Sequence, residues 1–158
     1  MQNAQQLAHR FREVHLDGKL IANTNYKDQL SQVSWQQAIQ QVGALNTIAQ
    51  LTYHVNYYIG GVLNVFAGGD LEIRDKYSFD LPPIRSEEDW NALLNEFWAN
   101  AEKFAQYVEQ MTDEKLATVF VDEKYGNYYK NVLDIIEHSY YHLGQISLIR
   151  KLLEEPVK

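Results

Sequence analysis

The sequence predicts an all-α protein, and three observations carry that prediction. Glycine and proline are scarce, at 8 and 3 of 158 residues. Long segments between them repeat apolar residues at three- and four-residue spacing, the helical period. No sustained two-residue alternation marks a strand. Four substantial helices with one long connection between the second and third describe a four-helix bundle with a crossover.

The first helix is expected over residues 2–16, with Leu7, Phe11 and Val14 on one face and a stop at Asp17-Gly18. Residues 18–33 show no period and read as a connection that packs Ile21, Tyr26 and Leu30 onto the bundle. Ser34-Trp35-Gln36-Gln37 has the spacing of a capping box and opens a short helix to about Gln41. Thr47-Ile48-Ala49-Gln50 has the same spacing and begins the second long helix, residues 46–66, with Leu51, Val55, Ile59 and Val62 on its apolar stripe. Gly60-Gly61 within it costs about 1 kcal/mol per residue against alanine, which implies close packing or a bend. Gly68-Gly69 ends the helix, and residues 68–85 are long enough to run the length of a bundle. Ser86 followed by Glu87, Glu88 and Asp89 caps the third helix, residues 87–111, whose stripe includes Trp90, Phe97, Trp98 and Phe104. Residues 112–128 hold a turn or brief hairpin. Helical period then returns over residues 129–153 through Val132, Ile135, Ile136, Leu143, Ile146 and Ile149. No repeat, low-complexity tract or boundary divides the chain, so residues 1–158 are expected to form a single domain.

Composition excludes several function classes. Zero cysteines remove disulfides, thiolate metal sites and a cysteine nucleophile, so any metal takes nitrogen or oxygen ligands. A formal net charge of -7 without a Lys/Arg cluster argues against nucleic acid as a partner. The polar amino terminus and the lack of a run of about 20 apolar residues point away from a membrane and toward the cytoplasm.

His138 and His142 stand four residues apart on the fourth helix, so both imidazoles leave one face and reach a common ion. Ile135, His138, His142, Gln145 and Ile149 form an inward stripe with a polar middle, costly to bury unless something satisfies it. His54, midway along the second helix, completes three imidazoles on two helices, with open coordination positions. Such a donor set suits zinc, nickel or another divalent transition metal. The competing reading has these histidines bonded to one another or to tyrosines without a metal. Gln145 would orient a bound group; Tyr58, Tyr141 and Gln50 are candidates for the pocket or its support. Asp134 and Glu137 fall on neighbouring faces, and His9 and His15 are assigned to the surface or to the first helix without a ligand role.

The string Glu137-His138-Ser139-Tyr140-Tyr141-His142-Leu143-Gly144-Gln145-Ile146 resembles the carboxy-terminal signature of the DinB-like (DNA-damage-inducible) superfamily, and Asn46 to His54 resembles its second-helix pattern. The resemblance implies an up-down-down-up four-helix bundle, commonly a homodimer, with His54, His138 and His142 holding a divalent metal. Characterised relatives include thiol S-transferases and a maleylpyruvate isomerase, metal-dependent enzymes that use small thiols. The resemblance therefore implies a metal site activating a low-molecular-weight thiol, or water, against a small-molecule substrate. A helical dimer that binds a metal or small ligand without catalysis is the alternative.

Overall fold

The computed structural model describes residues 2–20 and 22–154, and within them the protein is all-helical. Ile21, expected to pack on the core, lies outside the described residues. Helix α1 spans Gln2–His15, with short helices α2 (Tyr26–Leu30) and α3 (Trp35–Ala38) after it. The long helix α4 (Ile48–Phe66) leads through a 3-10 turn at Asp75–Tyr77 to α5 (Glu87–Glu109). Short α6 (Asp113–Ala117) and a 3-10 turn at Glu123–Tyr125 precede α7 (Tyr128–Glu154).

The helix starts follow from local chemistry. Thr47 accepts from the Gln50 backbone N–H at 3.2 Å while Gln50 Oε1 accepts from Thr47 N–H at 2.8 Å, so the box expected there closes in both directions. Ser34 and Gln37 do the same before α3, although that helix stops at Ala38 and not at Gln41. Ser86 caps α5 by accepting from Asp89 N–H, and three acidic residues fill its first turn against the helix dipole. Gly68, at φ +92°, adopts the left-handed backbone that ends α4.

Each of α1 and α4 packs against both α5 and α7, closing a ring of four long helices around the core. Phe11, Tyr26, Trp90, Phe97 and Phe104 are fully buried within it. The segment after α1 packs Tyr26 and Leu30 onto the bundle as expected, both fully buried, but holds a short helix where an irregular connection was expected. Asn25 accepts from Asp28 N–H at 2.8 Å and starts α2, and Tyr26 then donates its hydroxyl to the Ser139 carbonyl on α7 at 2.7 Å. Gly18 serves close approach, since a Cβ there would sit 2.3 Å from Glu13 Cα. The expected turn or hairpin after α5 contains α6 and one antiparallel bridge, Val119 to Asn127, with no strand among the described residues.

Of the two explanations offered for Gly60-Gly61, close packing is the one realised at Gly61. The crossover residue Ile73 lies so near that a Cβ on Gly61 would meet its Cγ2 at 2.4 Å. The crossover is thereby clamped to α4, and the residues after Ile73 reach Tyr58 and His54 of that helix through Asp75 and Phe79. No helix among the described residues is long and apolar enough to cross a membrane.

Candidate metal centre

Helix α4 delivers His54 and helix α7 delivers His138 and His142 to one point. His138 Nε2 lies 3.1 Å from His54 Nε2 and 3.0 Å from His142 Nε2, and one nitrogen from each ring falls within 4.8 Å of the others. His54 and His142 are buried, and His138 is partly so.

The proton inventory is what makes this cluster unusual. Gln145 Oε1 lies 2.6 Å from His142 Nδ1; a carbonyl oxygen only accepts, so Nδ1 carries the proton and Nε2 of the neutral ring presents a lone pair. His138 Nε2 carries either a proton or a lone pair. It cannot donate to His142 and also accept from His54, so no set of neutral rings makes two linear hydrogen bonds here. Extra protons are disfavoured too. Burial, then the neighbouring His142 and His54 rings, hold His138 down to about 4. His54 is lowered by burial and then by His142, against opposing effects of the Ser78 backbone and Asp75. The Ser78 backbone lies near, yet His54 Nδ1 closes no hydrogen bond of good geometry. Burial also lowers His142, opposed by the Gln145 contact.

A divalent cation held by His54, His138 and His142 would resolve the arrangement, because it would accept one lone pair from each ring. Two imidazole nitrogens bound at about 2.1 Å, with bond angles of roughly 90–109°, lie about 3.0–3.4 Å apart, close to the two separations found. The three histidines are positioned to bind a metal ion.

The surroundings come from the crossover and α4. Phe79 stacks on His54 with ring centroids 4.1 Å apart, covering one face of that imidazole. Tyr58 stands edge-on to both His54 and His138, each at 5.1 Å, and donates its hydroxyl to Asp75 Oδ1 at 2.8 Å. Beside the cluster, a pocket of about 360 Å³ has Tyr58, Asp75, Asp134 and His138 in its lining.

A family model described as the DinB superfamily matches residues 5–146. The chain belongs to the DinB superfamily. That superfamily is metal-binding, and the three-histidine cluster of this DinB-superfamily chain is compatible with the property. No curated protein and no solved structure shows a significant match to the chain.

The other expected residues divide sharply. Gln145 reaches the cluster through His142, and Tyr58 walls it. Gln50 gives its side-chain oxygen to the Thr47 cap and does not line the pocket beside the cluster. Tyr141 stands edge-on to His142 with centroids 4.9 Å apart, but the residue is 66% exposed and lines no wall of the pocket beside the cluster; it sits on the outer face of α7. Asp134 is ion-paired with Lys130 and Glu137 is exposed. His9 is exposed beside Glu13, whereas His15, assigned to the surface or the first helix, is a fully buried helix-one residue. Sequence reasoning missed Asp75 and Phe79, which reach the site because Gly61 admits the crossover. The length of that connection was the one signal available.

Proposed function

We propose that the protein is a divalent-metal-dependent enzyme in which His54, His138 and His142 hold the ion, zinc or nickel by donor type, and that it activates a small thiol cosubstrate or water against a small electrophile. The observation that carries this is the convergence of three Nε2 atoms that neutral-ring protons cannot join by two linear hydrogen bonds, beside a pocket. When bound, such an ion lowers the pKa of a thiol or water reaching it. The chain's own residues do the rest. Gln145 holds the His142 proton on Nδ1 and so keeps Nε2 turned to the site. Phe79 keeps water from one face of His54, and Tyr58 closes the gap between His54 and His138. With no cysteine in the chain, the sulfur of a thiol reaction comes from solution. The same proposal takes the protein as a cytoplasmic homodimer without a nucleic-acid partner; the charge of -7 supports the last point.

The test is metal content. Wild-type protein purified without chelator should carry close to one ion per chain by plasma mass spectrometry, and His138→Ala less than about a tenth of that. Wild-type protein that is metal-free and takes up neither zinc nor nickel overturns the proposal. Loaded protein is then assayed with small thiols and electrophiles, against a thiol-free control for hydrolysis. Inactivity in both arms with metal bound leaves a metal-binding helical protein without catalysis.

A further inference from the structure

We infer that the pocket beside the histidines takes a small molecule with an apolar body and a protonated amine, and that Asp75 selects it. The inference deepens the metal-site proposal by naming the substrate class, and rests on it for which end of the pocket is reactive.

The walls define the body. Val62 and Ile135 come from α4 and α7, Leu71 and Ile73 from the crossover, and Phe120 from the segment before α7, while His138 stands in the lining on the metal side. At about 360 Å³ the space lies at the small end of ligand pockets, room for a ring and a short chain and little more.

The charges define the head group. Besides His138 and two tyrosines, the titratable groups lining the pocket are Asp75 and Asp134; no lysine or arginine lines it. Asp134 is neutralised by Lys130, one turn earlier on α7. Asp75 has no cationic partner among the described residues. Of its sequence neighbours, the Lys76 ammonium lies over the Tyr77 ring, and the Arg74 side chain makes no ion pair with Asp75 and does not line the pocket. One oxygen of Asp75, Oδ1, accepts from the Tyr58 hydroxyl at 2.8 Å. That bond fixes the carboxylate and leaves Oδ2 for a ligand. An ammonium group meets a pre-positioned counter-charge there, whereas a carboxylate or phosphate meets like charge that no lysine or arginine of the lining offsets; an ion on the histidines would add its own attraction for an anion, so the preference is a property of the metal-free pocket. Because Asp75 is exposed, the discrimination is modest: about fivefold of attraction for the amine, and about tenfold between amine and carboxylate.

Three probes of similar shape test this on the metal-free full chain at neutral pH, where no zinc is present to bind the carboxylate: 2-phenylethylamine, 2-phenylethanol and 3-phenylpropionate, titrated by ligand-observed NMR. The amine should bind about tenfold more tightly than the carboxylate, with the alcohol between. Asp75→Asn should bring the amine to the level of the alcohol and leave the alcohol unchanged. Leu71→Trp, which fills the pocket from the crossover side, should weaken all three. Equal or tighter binding of the carboxylate, an amine preference that survives Asp75→Asn, or no binding of any probe at millimolar concentration overturns the inference. The titrated samples are verified to be zinc-free, and zinc uptake is measured separately on the same preparation. A chain that takes up no zinc fails the metal proposal alone, because the amine preference and its loss in Asp75→Asn are still read from binding.

Discussion

His15 is enclosed by Phe11, Tyr26 and Phe97, stacked on Phe11 at 4.0 Å and on Tyr26 at 5.2 Å. Its Nδ1–H donates to the Phe11 carbonyl at 2.9 Å, and Nε2 is buried without a partner. Burial drives its pKa down to about 3, with the Phe11 hydrogen bond opposing. The folded state therefore refuses a proton that the unfolded chain accepts below pH 6.5. Stability is complete above that value and is lost as pH falls from 6.5 toward 3, by about 2 kcal/mol at pH 5. His15→Leu should abolish this part of the acid sensitivity: urea unfolding of metal-free wild type and variant at pH 7.5 and pH 5 should show a pH-dependent loss smaller by about 2 kcal/mol in the variant. Equal losses would mean that His15 is not the group resisting protonation. The site histidines titrate in both proteins, so their contribution cancels. This residue also shows a limit of sequence reading. Spacing paired His138 with His142 because both lie on one helix, but nothing near His15 announces that Tyr26, from a segment without helical period, folds back to cover it.

At the scale of elements, most boundaries were legible because caps are local. The Thr47–Gln50 and Ser34–Gln37 boxes and the Ser86 cap are written in four consecutive residues each, and the structure places α4, α3 and α5 where they begin. Elements held by partners distant in sequence were not legible: α2 depends on the Tyr26 contact to α7, and the crossover on a glycine it meets across space. The glycine pair gives this a sign. A Cβ on Gly60 meets only Asn100 Nδ2 at 3.7 Å, an ordinary contact, while one on Gly61 collides with Cγ2, Cδ1 and Cγ1 of Ile73 at 2.4–2.9 Å. Ile73 is β-branched, so relief requires the crossover backbone to move. Gly60→Ala should stabilise the protein by about 0.5–1 kcal/mol through helix propensity. Gly61→Ala should destabilise it by about 1–2 kcal/mol net of that gain. Paired chemical denaturation of the two variants checks this; two changes of the same sign would place the clamp elsewhere.

For the whole molecule, periodicity could say that four helices each bury a face but not which faces meet. That depends on side-chain fit across the ring in which α4 and α7 are neighbours. The site exploits that neighbourhood, since His54 and His138 are 84 residues apart in sequence and 3.1 Å apart in space. An ion held there ties α4 to α7 and exists only in the folded chain, so its binding energy adds to folding stability. At a free zinc concentration about 100 times the dissociation constant the gain is about 2.7 kcal/mol, and for a chain of this length about 5–10 °C in melting temperature. Differential scanning calorimetry of metal-free protein with and without zinc should show this rise, and a chelator should reverse it. His142→Ala removes one ligand and leaves its helix otherwise intact, so it should unfold at the same temperature with and without zinc. Zinc bound to scattered surface carboxylates would raise both proteins alike, or neither; a rise confined to wild type requires the three imidazoles acting together across two helices.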